Sequence, residues 1–222
     1  MQAEFEKYAK GMGISSTSLN NYKSGLSIPQ PVVLEERELK AVAVDVFSRL
    51  LMDRIIMLGT EITDDTANII TAQLLYLNSQ DNKKPIQLYI NSPGGSVSAG
   101  LQIYDTMQII KAPVQTVCVG LAASMAAVIL AGGEKGYRGA LPNASIMIHQ
   151  PLGGAMGQAS DIEITNKRIQ YFKTLLYTLL SNDTGQSMKK IIKDADRDFW
   201  FTIEEAKNYG LIDKIFDKKG II

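Results

Sequence analysis

Cysteine occurs once in this 222-residue chain, as Cys118. One thiol closes no internal disulfide, so the chain suits a reducing compartment. Histidine also occurs once, as His149, and one histidine with one cysteine cannot build a zinc cluster, so no metal site is expected. Net charge is missing too: 23 Lys and Arg balance 23 Asp and Glu. That balance removes the global field that would gather nucleic acid or an anionic membrane. No apolar run approaches the roughly 18 residues of a membrane span. The opening "MQAEFEKYAKGMG" contains acids and lacks the apolar centre of a secretory signal, and it is not Arg-rich like a transit peptide. The expectation is a cytoplasmic chain that binds neither nucleic acid nor membrane. There is also no GxGxxG and no P-loop lysine, so a phosphate cradle would lack its usual signature.

What is present is an ordinary globular composition, 45% apolar and 21% charged, long enough to bury a core. Residues 1 to about 31 are rich in Gly, Ser, Asn and Pro and show little periodicity, which predicts an irregular arm or a pro-segment. From Asp45 the chain turns regular. "DVFSRLLMDR" reads as a short helix and "IIMLG" as a buried strand. "DDTANIITAQLLYLNSQ" reads as a helix with Ile69, Leu74 and Leu77 at helical spacing. "IQLYINS" is a strand, "PGGSVSAGLQIYDTMQIIK" a glycine turn feeding a helix, and "PVQTVCVG" a strand. "ASMAAVILAGG" is a helix and "ASIMIHQP" a strand ending near His149. This alternation over residues 54–150 predicts an α/β fold with parallel strands. Beyond it come a Gly-rich extended stretch, "LGGAMGQ", and a long helix with Ile162, Ile169, Phe172, Leu176 and Leu179 on one stripe. That helix follows the end of the sheet and needs a partner to cover it. "TIEEAKNYGLIDKIF" closes the chain as helix, glycine stop and strand.

Three strand ends offer chemistry. His149 carries the one side chain whose ordinary pKa lies near neutral pH, and it sits where open α/β sheets bind ligands. Ser124 stands at the first turn of a helix among small residues, Ala122, Ala123 and Ala126, with the Met125 N–H beside it. Read locally, it fits an N-cap as well as a nucleophile. Gly94 and Gly95 can turn backbone N–H groups into a cleft, or serve an ordinary turn. A hydroxyl, an imidazole and N–H donors are the parts of acyl transfer through a serine. The imidazole then needs an orienting carboxylate, and Asp161, Asp194, Asp196 and Asp198 all remain open by composition and spacing. Cys118 lies inside an apolar run and reads as a buried, inert thiol.

"YINSPGGSV", "GLAASMAAVIL", "LPNASIMIHQPLGGAMGQASDIEI" and "DRDFWFTIEEAKNYGLID" closely resemble the Clp protease family of proteolytic subunits, from about Asp45 to Phe216. The motifs come in the family's order and spacing. The resemblance implies a serine endopeptidase in which Ser124, His149 and Asp198 form the triad. It implies that the Gly95 and Met125 N–H groups form the oxyanion hole. It implies a Clp/crotonase-type spiral of ββα units with a protruding strand-helix handle at about 150–182, whose glycine-rich strand pairs with extended substrate. Residues 45–222 would be one catalytic domain, and 1–44 an arm or pro-segment with an axial loop near "PQPVVLEE". Two stacked seven-membered rings would enclose the sites. A hexameric AAA+ unfoldase would spend ATP and feed in unfolded polypeptide, so this subunit itself would need no cofactor. Tyr89, Val117, Leu141 and Phe216 fit the unfoldase-docking pocket, while Gln87 and Gly139 stand where aromatics are common. Two alternatives stand beside this reading. A crotonase-like acyl-CoA hydratase or isomerase would share the fold, and a non-catalytic ring subunit would share the assembly.

Overall fold

The computed structural model describes residues 2–25, 32–37 and 40–216. The chain opens with two helices, α1 (Gln2–Gly11) and α2 (Ser16–Gly25), where the sequence predicts an irregular arm. Their apolar residues are too few to print a stripe in the sequence. Ala9, Ile14 and Leu19 are nonetheless buried, and Tyr8 packs on Tyr76 with ring centroids 5.7 Å apart. Ten-residue helices are marginal alone, so this packing is what stabilises them. A hairpin follows, β1 (Val32–Arg37) antiparallel to β2 (Lys40–Asp45). Residues 29–31 of the expected axial-loop stretch lie outside the described residues.

Asp45 then starts α3 (Val46–Met52) by accepting from the Ser48 N–H at 3.0 Å and the Ser48 hydroxyl at 2.7 Å. The predicted alternation is present from here: β3 (Ile55–Leu58), α4 (Asp64–Gln80), β4 (Ile86–Ser92), α5 (Val97–Ile109), β5 (Val114–Ala123) and α6 (Met125–Ala131). The strands pair in parallel in the order β3, β4, β5, with Leu58 opposite Ile90 and Ile90 opposite Cys118. Leu58, Ile90 and Cys118 are fully buried, as expected of a sheet covered on both faces. Arg54, at φ 64°, fastens α4 to this sheet. Its guanidinium donates to the carbonyls of Leu77, Asp81, Lys84 and Pro85 at 2.9–3.0 Å, taking up acceptors that a helix end leaves unsatisfied.

Strand β5 runs three residues past Gly120, where the sequence places its end, and serves two directions of sheet. Its first half pairs with β6 (Gly139–Ala140), and its second half with β7 (Ser145–Ile148). The fork falls at Gly120, where a Cβ would come within 2.7 Å of Asn91 Oδ1, an atom that instead accepts from the Leu121 N–H. The long helix α7 (Ala159–Thr184) buries Leu176, Tyr177 and Leu180 only near its C-terminal end. Ile162, Ile164 and Tyr171 stay exposed on the part that projects. The glycine-rich stretch 151–156 before it is not a paired strand, because no described strand lies beside it. The chain closes with α8 (Met188–Asp194), β8 (Phe199–Phe201), α9 (Ile203–Tyr209) and β9 (Lys214–Ile215). Strand β8 runs antiparallel to β7, and β9 pairs in parallel with β6. This is the mixed α/β architecture expected, and it gathers the ends of β4, β5, β7 and the start of β8 at one place.

Candidate active site

Ser124 joins β5 to α6 with φ 56° and ψ −125°, a conformation that side-chain-bearing residues seldom hold. Its N–H donates to the Met147 carbonyl at 2.9 Å, which pins the turn to β7. Its hydroxyl makes no capping bond to α6, so the N-cap reading falls away and Oγ is free for another partner. That partner is His149, whose Nε2 lies 2.8 Å from Ser124 Oγ. On the other side of the ring, His149 Nδ1 lies 2.8 Å from Asp198 Oδ1. The antiparallel register explains this second contact: Ile148 stands opposite Phe199, so the next residues along, His149 and Asp198, face each other past the strand ends. A carboxylate accepts only, so Nδ1 carries the proton and Nε2 is left to accept from the serine hydroxyl.

No hydrogen bond joins the carboxylate of Asp161, Asp194 or Asp196 to His149. Asp194 accepts from Lys190 at 2.6 Å and from the Tyr209 hydroxyl at 2.9 Å. Asp161 lies in the first turn of α7. Asp196 contributes its backbone carbonyl, which accepts from the Gln150 amide at 2.7 Å and braces the residue after His149.

Two glycines bring the β4–α5 turn against Ser124. A Cβ on Gly94, at φ 92°, would fall 2.7 Å from the Ala123 carbonyl and 2.8 Å from Ser124 Cβ. One on Gly95 would fall 2.3 Å from the Ile62 carbonyl oxygen. Ile62 donates to the Gly94 carbonyl and accepts from the Ser96 N–H, both at 2.8 Å, which leaves the exposed Gly95 N–H out of the ladder. Met125 is the first residue of α6, so its N–H has no carbonyl one turn back to bond. Among the described residues these two N–H groups have no backbone partner, and both stand beside Ser124. They open on a cavity of about 280 Å³.

A family profile described as Clp protease matches residues 37–219. A Bacteroides fragilis (strain YCH46) protein named ATP-dependent Clp protease proteolytic subunit is 56% identical over 218 residues, covering 97% of this chain and 99% of the relative. Proteins of the same name from Bacteroides thetaiotaomicron and Porphyromonas gingivalis are 55% and 54% identical, each covering 97% of this chain and 99% and 98% of the relative. The chain belongs to the Clp protease family.

Within this Clp family chain the remaining sequence candidates are placed as follows. Tyr89, Val117 and Gly139 lie side by side across β4, β5 and β6, and Leu141 shares their face by the two-residue period of a strand. Phe216 fills the space that Gly139 leaves, since a Cβ there would come within 2.3 Å of its ring. The Tyr89 hydroxyl donates to Gln87 Oε1 at 3.2 Å. The four docking candidates thus share one face, and none of them lines the cavity beside Ser124. Cys118 is fully buried and burial pushes its thiol up to about 11, far from the thiolate a nucleophile needs. Among the described residues no group of three metal-ligating side chains occurs, and no helix is long and apolar enough to cross a membrane. The sequence reading missed the wall of the cavity, formed by Val97, Val128 and Met147 with Leu152, Leu176 and Leu180. Those residues come from five separated segments, so no local pattern announces them.

Proposed function

We propose that this peptidase of the Clp family works through Ser124 as nucleophile, His149 as general base and Asp198 as the group orienting the imidazole. The observation that carries the reading is one imidazole within 2.8 Å of both a hydroxyl and a carboxylate. His149 Nε2 takes the Ser124 proton as Oγ attacks the carbonyl carbon of a peptide bond. The oxygen that becomes negative is held by the Gly95 and Met125 N–H groups, each worth about 3–4 kcal/mol in typical sites of this kind. The imidazolium passes its proton to the leaving amine, and the C–N bond breaks. Water enters, gives a proton to His149, attacks the acyl-serine and releases the acid as Oγ regains its proton. Every step uses this chain's own side chains and backbone.

The same proposal extends to the assembly. Residues 45–222 form the catalytic domain with a handle at about 150–182, and residues 1–44 an N-terminal arm or pro-segment with the axial loop. Leu152 and Met156, at 84% and 98% exposure, and the bare apolar residues of α7 need cover, which a second ring would supply. The face of Tyr89, Val117, Leu141 and Phe216 receives a hexameric unfoldase that hydrolyses ATP, in line with the ATP-dependent names of the relatives. The rings work in the cytoplasm on unfolded polypeptide, and the peptidase subunit uses no cofactor of its own. A fluorophosphonate probe tests the core of this. Ser124 becomes labelled in assembled rings, and Ser124→Ala loses both label and peptide cleavage while keeping its particle size. Failure of the assembled parent to label at Ser124 overturns the serine mechanism.

A further inference from the structure

The cavity beside Ser124 has a mostly apolar wall, and Glu61 is its single acidic residue. Glu61 immediately precedes Ile62, the residue that bridges Gly95, so it sits at the edge of the turn that carries one of the two N–H donors. Its backbone is held in place, because its carbonyl accepts from the Thr66 hydroxyl at 3.1 Å and the Thr60 hydroxyl at 3.3 Å. Its side chain is exposed and makes no hydrogen bond or ion pair with any described residue. Glu61 therefore stands in the wall of the cavity next to Ser124, on a fixed backbone and with a carboxylate that no described residue pairs.

A mostly apolar cavity with one carboxylate in its lining fits a long side chain with an apolar stem and a cationic head. It also repels a second carboxylate. We propose that Glu61 is a specificity-determining residue. It binds a Lys or Arg side chain of the peptide within two positions of the cleaved bond and disfavours Asp and Glu there. The proposal rests on the peptidase reading above and adds a charge preference to it.

The test uses the assembled full-length chain and quenched fluorescent peptides that carry Lys or Glu at one position at a time on either side of the cleaved bond. At one position the Lys:Glu ratio of kcat/KM exceeds one in the parent and falls about three- to fivefold in Glu61→Gln, as an exposed charge pair allows. It inverts in Glu61→Lys and is retained in Glu61→Asp. In the parent it also shrinks between about 0.05 M and about 0.5 M salt, as screening requires. Equal ratios in parent and Glu61→Gln at every position overturn the proposal. If the Gln variant does not assemble, a parent ratio insensitive to salt overturns it equally. Failure of the underlying peptidase reading is read separately, as absence of fluorophosphonate label on Ser124 in the parent.

Discussion

The hydroxyl of Ser124 reaches His149 because the backbone beneath it is bent into a seldom-used conformation. Such a conformation costs about 1–3 kcal/mol and persists only where its surroundings over-determine it. Here β5 pairs with β7 up to Ala123, and the Ser124 N–H is bonded to Met147. In the proposed mechanism Asp198, on the far side of the ring, fixes which ring nitrogen of His149 carries the proton. Replacing it with Asn offers Nδ1 an N–H donor, which favours the tautomer protonated at Nε2 and leaves nothing to accept the serine proton. Asp198→Asn is therefore expected to lower kcat by about ten-thousandfold with KM little changed, the size seen when a triad carboxylate becomes an amide. Steady-state cleavage of a small peptide measures it, and a fall under tenfold would remove Asp198 from the mechanism. The sequence marked the hydroxyl and the imidazole as candidates, since each stands at a strand end and the histidine has no rival, but read locally Ser124 fitted an N-cap as well. The carboxylate was not legible from spacing, because the β7–β8 register that selects Asp198 over Asp194 and Asp196 pairs residues 49 apart in the chain. Only the family resemblance pointed to it.

Elements meet at Arg138, which is 4% exposed. Its guanidinium donates to the Ala131 carbonyl at the end of α6, to the Asp183 carbonyl at the end of α7, and to both oxygens of Asp213 just before β9. Burial would raise the Asp213 carboxyl, but hydrogen bonds and charge from Arg138 outweigh it and hold the group below its usual range. A depressed carboxyl stabilises the fold above its unfolded pKa, and that contribution is lost as pH falls through the lower folded value. Asp213→Asn leaves the buried guanidinium without its anion and is expected to cost roughly 2–3 kcal/mol, somewhat under a fully buried pair because Asp213 is partly exposed. Urea unfolding at neutral pH measures this. The gap between parent and variant should narrow as the pH falls through the lowered folded value, and a gap that stays constant would show the ion pair is not its source. At this scale the sequence announced elements that carry their own signals. Strand β4 begins just after Pro85, and Gly210 ends α9 at φ 91°. Strands β6 and β9 have two residues each and exist only through their partners. Helices α1 and α2 likewise depend on packing that no local pattern records.

At the scale of the whole molecule, the folded subunit leaves apolar surface that its own core cannot use. The core holds only the C-terminal end of α7, while Ile164 at 66% and Tyr171 at 55% exposure face away from it. Covering an isoleucine removes about 1.5–3 kcal/mol of unfavourable hydration, and in the proposed rings that gain repeats at every subunit. A charge placed there reverses the sign at each copy at once. Ile164→Glu is therefore expected to fold normally, since the residue contributes nothing to the subunit core, yet to yield a particle of half the parent's mass. Light scattering coupled to size exclusion reads the mass, and far-ultraviolet circular dichroism checks the fold. Peptide cleavage should fall along with assembly, because the glycine-rich stretch that leads into α7 also supplies Pro151 and Leu152 to the wall of the cavity. A parent-sized particle from Ile164→Glu would mean that this helix is covered by something other than an opposing ring. A half-sized particle with full activity would separate the handle's role in assembly from any role in shaping the site.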